Sequence, residues 1–183
     1  NANMALGAAY QFVGRLDEAV RQFRRVIAMQ PGFALASVWL CATHAIMGQG
    51  AESLAVAERM IQRMGEARIA RACLAMAYAA SGRIADARQI QADLGSNPDM
   101  PLFQHAMIYA IIGDDAAALD WLERALVART DMYTLRVHPA FAPLYERCPP
   151  VHRISRGKVP TARAIMRSCD GYTPSRIMVR FHP

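Results

Sequence analysis

The chain has 183 residues, 54% of them hydrophobic and 20% charged, with four cysteines and a formal net charge of +6. That is the composition of a folded globular chain and not of a disordered one, with length for one domain or a short repeat array. No stretch reaches the roughly 18 consecutive apolar residues of a membrane span, and no basic start leads into an apolar run as in a signal peptide.

The distribution of charge says more than its total. Residues 1–147 hold 14 arginines and 14 acidic residues, which cancel. Residues 148–183 hold six arginines and Lys158 against Asp170 alone, so the entire excess lies in that tail. A neutral body with a basic tail does not predict a nucleic-acid-binding fold. The chain starts at Asn1 and not at methionine, the beginning expected of a fragment or a processed chain. Cys41, Cys73, Cys148 and Cys169 form no CxxC pair. The expectation is small buried residues in a reducing compartment, the cytoplasm, not a disulfide or metal framework.

The first element is the stretch YQFVGRLDEAVRQFRRVIAMQP, residues 10–31, which reads as the end of a helix, a glycine-marked turn, a second helix and a proline stop. The same arrangement recurs. Gly14, Gly48, Gly82 and Gly113 each separate two apolar-periodic segments, at spacings of 34, 34 and 31. A near-fixed period of this size marks stacked helical hairpins. Four residues before each glycine stand Tyr10, His44, Tyr78 and Tyr109, and eight before stand Leu6, Leu40, Leu74 and His105. Seven before stand Gly7, Cys41, Ala75 and Ala106; five after stand Ala19, Ser53, Ala87 and Ala118. Small residues at those two places let the two helices of a hairpin approach closely. Phe23, Val26, Met60, Ile90, Leu94, Leu122 and Leu126 are the large residues expected between hairpins.

This pattern resembles the tetratricopeptide repeat over residues 1 to about 129. The copy ALGAAYQFVGRLDEAVRQFRRVIAMQP comes closest, through Leu6–Gly7, Tyr10, Gly14, Ala19, Phe23 and Pro31, and HAMIYAIIGDDAAALDWLERAL follows it nearly as well. The second copy departs, with His44 for the aromatic, Ser53 for the alanine and Gly65 where proline would end the unit. The third lacks the terminal proline in register. The resemblance implies an all-α, right-handed superhelix of about four hairpins. It is specific for fold and not for function. A weaker likeness lies in TDMYTLRVHPAFAPLYERCP, whose HPAFAPL looks like the segment that closes repeat arrays in bacterial regulators and adenylate-cyclase-type proteins. Those proteins usually carry a winged-helix or cyclase domain in front. The domain expectation is a repeat domain over 1–147, closed by 130–147, with a basic, proline-containing, mostly irregular tail over 148–183.

In such arrays the first helix of each hairpin lines a concave groove. The register assigns to it Met4, Gln11 and Phe12 from the first hairpin, and Val38, Trp39 and Ile46 from the second. From the third come Ile69, Ala72 and Met76, and from the fourth Phe103, Gln104, Met107 and Ile111. The face is strongly apolar. It has none of the lysine, asparagine or arginine that would clamp a peptide carboxylate. Three readings stand: a core covered by superhelical curvature or the closing segment, a dock for another part of the same polypeptide, or a site for an external helix or peptide.

No catalytic motif is present: no GxSxG, no GxxxxGK[ST], no GxGxxG and no HExxH. Asp114–Asp115 and Asp17–Glu18 open helices, where carboxylates favour the helix dipole, so they read as caps. Asp17, Glu18, Arg21 and Arg25 read as a paired, solvated helix face. The expected function is a non-catalytic protein-interaction module without cofactor or metal, in a bacterial regulatory protein. Its partner is a protein, a peptide or a neighbouring domain. The regulatory end of an enzyme such as an adenylate cyclase, a free-standing adaptor, and nucleic-acid contact through the tail are the other readings.

Overall fold

The second helix of each hairpin shows most directly why this sequence is helical. In residues 16–29, Ala19, Val20, Phe23 and Val26 are buried while Asp17, Arg21, Arg24 and Arg25 face water. That is a helical stripe with one wet side. The computed structural model describes residues 2–95, 100–128 and 138–147. Within them lie four hairpins: α1 (Ala2–Phe12) with α2 (Leu16–Met29), α3 (Ala34–Ile46) with α4 (Gly50–Met64), α5 (Arg68–Ala80) with α6 (Ile84–Gly95), and α7 (Leu102–Ile112) with α8 (Asp115–Val127). A 3-10 turn (Pro139–Phe141) and the short α9 (Ala142–Arg147) follow. The fold is an all-α solenoid, with no strand among the described residues. The tail 148–183, with Cys148 and Cys169, and residues 130–137 of the closing segment lie outside the described residues.

Each hairpin turn is built the same way. The four glycines have φ between 71° and 82°, left-handed backbone that other residues enter only at a cost. The amide of each glycine donates to the carbonyl three residues back, at 3.0–3.2 Å. The amide of the next residue, Arg15, Gln49, Arg83 or Asp114, donates to the carbonyl of Tyr10, His44, Tyr78 or Tyr109 at 2.8–3.0 Å. These bonds satisfy the carbonyls that a helix end leaves open. Gly65, at φ 63°, ends α4 where the first copy has Pro31.

The small-residue register brings the paired helices together. Ala19, Cys41, Ser53, Ala75, Ala87, Ala106 and Ala118 are all fully buried. A methyl group on Gly7 would sit 2.6 Å from the Phe23 ring. The serine of the second copy has a physical reason. Its Oγ donates to the Cys41 carbonyl at 3.0 Å, and the Cys41 sulfur lies 3.2 Å from that Oγ and 3.3 Å from the Cys73 carbonyl. Both cysteines are buried free thiols. The neighbouring Cys41 and then burial push the Cys73 thiol well up, which keeps it protonated and inert.

Successive first helices touch, α1 on α3, α3 on α5 and α5 on α7, whereas the second helices make no comparably extensive contacts with one another. The array therefore bends toward the layer of first helices. α7, without a charged residue, lies among α5, α6, α8 and the 3-10 turn, the placement expected of a helix apolar all round.

Candidate binding face

The inner face begins where α1 ends. Phe12 meets Trp39 of α3 edge-on, with ring centroids 5.8 Å apart at 89°, and Trp39 leans on Phe23 of α2 at 5.8 Å. Into this aromatic corner comes the closing segment. The His138 ring lies 5.9 Å from Phe12, 6.5 Å from Trp39 and 5.8 Å from Phe141. The turn carrying it is locally specified. Pro139 occupies its first position, the His138 carbonyl accepts from the Phe141 amide at 3.0 Å, and the His138 Nδ1 accepts from the Ala140 amide at 3.3 Å. With Nδ1 as acceptor, the neutral ring carries its proton on Nε2. His138 is 3% exposed, and Phe141 and Leu144 are fully buried. Burial lowers the His138 pKa to about 4, because the surroundings offer a cation no water and no anion. The turn also packs on α7, so it bridges the first and last hairpins across the inner face.

The anticipated groove residues fall into two groups. Met4, Trp39, Ile46, Phe103 and Ile111 are half-buried and packed against the core, and Phe12 is half-buried against Trp39. Val38, Met76 and Met107 are buried, Met76 completely. These three fill space between helices and present no open surface. The helical period identifies which residues share a face, but the tightness of the bend decides which of them closes over.

Open space lies elsewhere between first helices. A cleft of about 200 Å³ lies between the starts of α5 and α7, lined by Arg68, Ile69, Ala72, Met100, Pro101 and Gln104. Nearer α1, Gln11 is fully buried with neither end of its amide hydrogen-bonded. In the fourth hairpin, His105 takes the place of the leucine of earlier copies. It stacks on Trp121 of α8 at 4.2 Å and its Nδ1 lies 2.7 Å from the Gln91 amide of α6. Burial, and next the Arg124 charge, lower its pKa.

The residue after the first three turn glycines went unnoticed in the sequence. Arg15 lies over the Tyr10 ring at 4.6 Å and Arg83 over Tyr78 at 3.9 Å. In the second copy, where histidine replaces tyrosine, Gln49 replaces arginine and its amide oxygen lies 2.6 Å from His44 Nδ1. The fourth copy keeps Tyr109 but has Asp114 at the partner position, so the pairing holds in three copies and is not a rule of the register. Asp114 caps α8 as expected, accepting from the Ala117 amide at 3.1 Å. Glu18 pairs with Arg15 at 2.6 Å and lies 3.9 Å from Arg21, so the turn arginine competes for the carboxylate assigned to the helix face alone.

Among the described residues, no three His, Cys, Asp or Glu side chains gather as they would around a metal ion, and no helix is long and apolar enough to cross a membrane. Family models described as tetratricopeptide repeat match residues 1–33 and 69–90. The first match spans α1 and α2. The second falls on α5 and α6, where Tyr78, Gly82 and Ala87 keep the register, and not on the fourth copy with its His105. No curated protein and no solved structure matches the chain.

Proposed function

The chain is a tetratricopeptide-repeat protein, and from that premise we infer that its inner face is a binding surface for an apolar peptide, helix or neighbouring domain. Tetratricopeptide repeats are in general protein-protein interaction modules and typically carry no catalysis. The repeat domain, residues 1–147, acts here by contact alone, and the context proposed for it is a bacterial regulatory protein. That context draws its support from HPAFAPL and its likeness to closing segments of such regulators.

One observation carries the binding reading. The closing segment, uncharged from His138 to Leu144, already places its His138 ring in the corner made by Phe12 and Trp39 and buries Phe141 and Leu144. The face therefore has the shape and chemistry to hold a short peptide by aromatic and aliphatic anchors, the residues that dominate such contacts. A separate cleft lies beside Ile69 and Gln104. A random peptide library selected on the immobilised full chain tests this. Enriched peptides should carry aromatic and aliphatic anchors and should lose binding to Trp39→Ala. Enrichment of charged peptides, or binding indifferent to Trp39→Ala, would contradict it.

A further inference from the structure

The His138 ring of the closing segment sits in the aromatic corner, and Phe141 and Leu144 behind it are buried. We propose that residues 138–144 are a built-in ligand of this face, and that the face binds in trans a partner segment of the same chemistry, an uncharged proline-led turn, His-Pro-x-Phe with leucine three residues on. This rests on the reading of the inner face as a binding surface, and adds both its ligand class and its control.

Three features support the assignment. First, the segment contacts the array through anchors in ligand-like order. His138 reaches the two aromatic rings of α1 and α3, and Phe141 and Leu144 are buried completely. Second, its conformation is held by its own bonds, from the Ala140 and Phe141 amides to His138, with Pro139 presetting the turn. A ligand so preorganised gives up little entropy on docking. Third, charge agrees on both sides: HPAFAPL holds no formal charge when its histidine is neutral, and neither Phe12, Trp39 nor any residue of α7 brings one.

Control follows from the covalent link. A ligand on a short tether acts at an effective concentration in the millimolar range, so a free peptide must outcompete it. The chain then responds only to a partner that is abundant or binds better, or to an event that releases its own turn.

The test is fluorescence polarisation with a labelled peptide of sequence VHPAFAPLY, residues 137–145, on three versions of the 183-residue chain. Phe141→Ala weakens the internal turn and should bind the peptide at least tenfold more tightly than the unmodified chain. Trp39→Ala combined with Phe141→Ala should return to weak binding. Equal affinity for the unmodified chain and Phe141→Ala overturns the proposal. So does absence of binding to a Phe141→Ala chain whose circular dichroism is unchanged. Should Phe141→Ala fail to fold, His138→Ala replaces it, since that change removes the ring against Phe12 and Trp39 and keeps Phe141 in the core. A folded variant that refuses this peptide but binds library-selected ones defeats this inference alone. One that binds neither defeats the binding-face reading as well.

Discussion

Two leucines in the same register position show how neighbours decide what a residue is worth. Leu6 and Leu40 each stand eight residues before a turn glycine, yet Leu6 is 42% exposed and Leu40 only 3%. α3 lies against α2 of the preceding hairpin, whereas α1 has no described helix on that side. Leu40→Ala should cost about 2–5 kcal/mol, the range for an emptied core site, and Leu6→Ala no more than about 1 kcal/mol. Chemical denaturation of the two variants checks the contrast, and equal losses would contradict it. Gly82 tests the turn in the same way. Its φ is 78° with nothing near the missing Cβ, so Gly82→Val introduces backbone strain without a clash. A loss of about 1–2 kcal/mol, or roughly 2–8 °C in melting temperature, is expected. Met76→Ala, at a fully buried position, should lower stability by about 2–5 kcal/mol. An unchanged melting curve would mean that Met76 is an exposed anchor after all. These residues also mark what the sequence made legible. The turn glycines and small residues stood out because each answers a local demand, positive φ or close approach, that repeats every hairpin. The burial of Val38, Met76 and Met107 did not, because helical spacing is blind to the curvature that closes over them.

Among elements, the closing turn is the one whose place no local pattern announces. His138 and Phe12 are 126 residues apart in sequence and 5.9 Å apart as rings. Periodicity relates neighbours along a helix and cannot encode such a meeting. HPAFAPL was legible as a terminator, and its placement over the groove was one of three open readings; which residues it would meet was not legible. The turn carries a pH dependence whose sign follows from burial. An exposed histidine has a pKa near 6.5, whereas docking lowers that of His138 to about 4. The docked state therefore binds fewer protons. Its stability is fully present above about pH 6.5 and is lost as pH falls toward 4, by at most about 3 kcal/mol. Hydrogen exchange of the Ala140 and Phe141 amides, both bonded to His138, should speed up relative to the hairpins as pH drops through that window, after correction for intrinsic rates. Protection independent of pH would mean that the ring is not docked where burial places it.

At the scale of the molecule, the four hairpins form a layer of first helices whose inner face is partly closed by the chain itself. The apolar groove residues are thus divided between core, as with Met76, and a corner in contact with the His138 ring, as with Trp39 and Phe12. On the reading proposed above, an array closed in this way is a receptor at rest, selective through competition with its own segment. The most direct test is an NMR spectrum of the full chain at neutral pH, read at the His138 ring. Docking predicts Overhauser effects from its ring protons to Phe12 and Trp39, shifts displaced by the neighbouring rings, and titration with a pKa of about 4. Random-coil shifts, no contact to either aromatic and a pKa near 6.5 would show the face open and contradict the account.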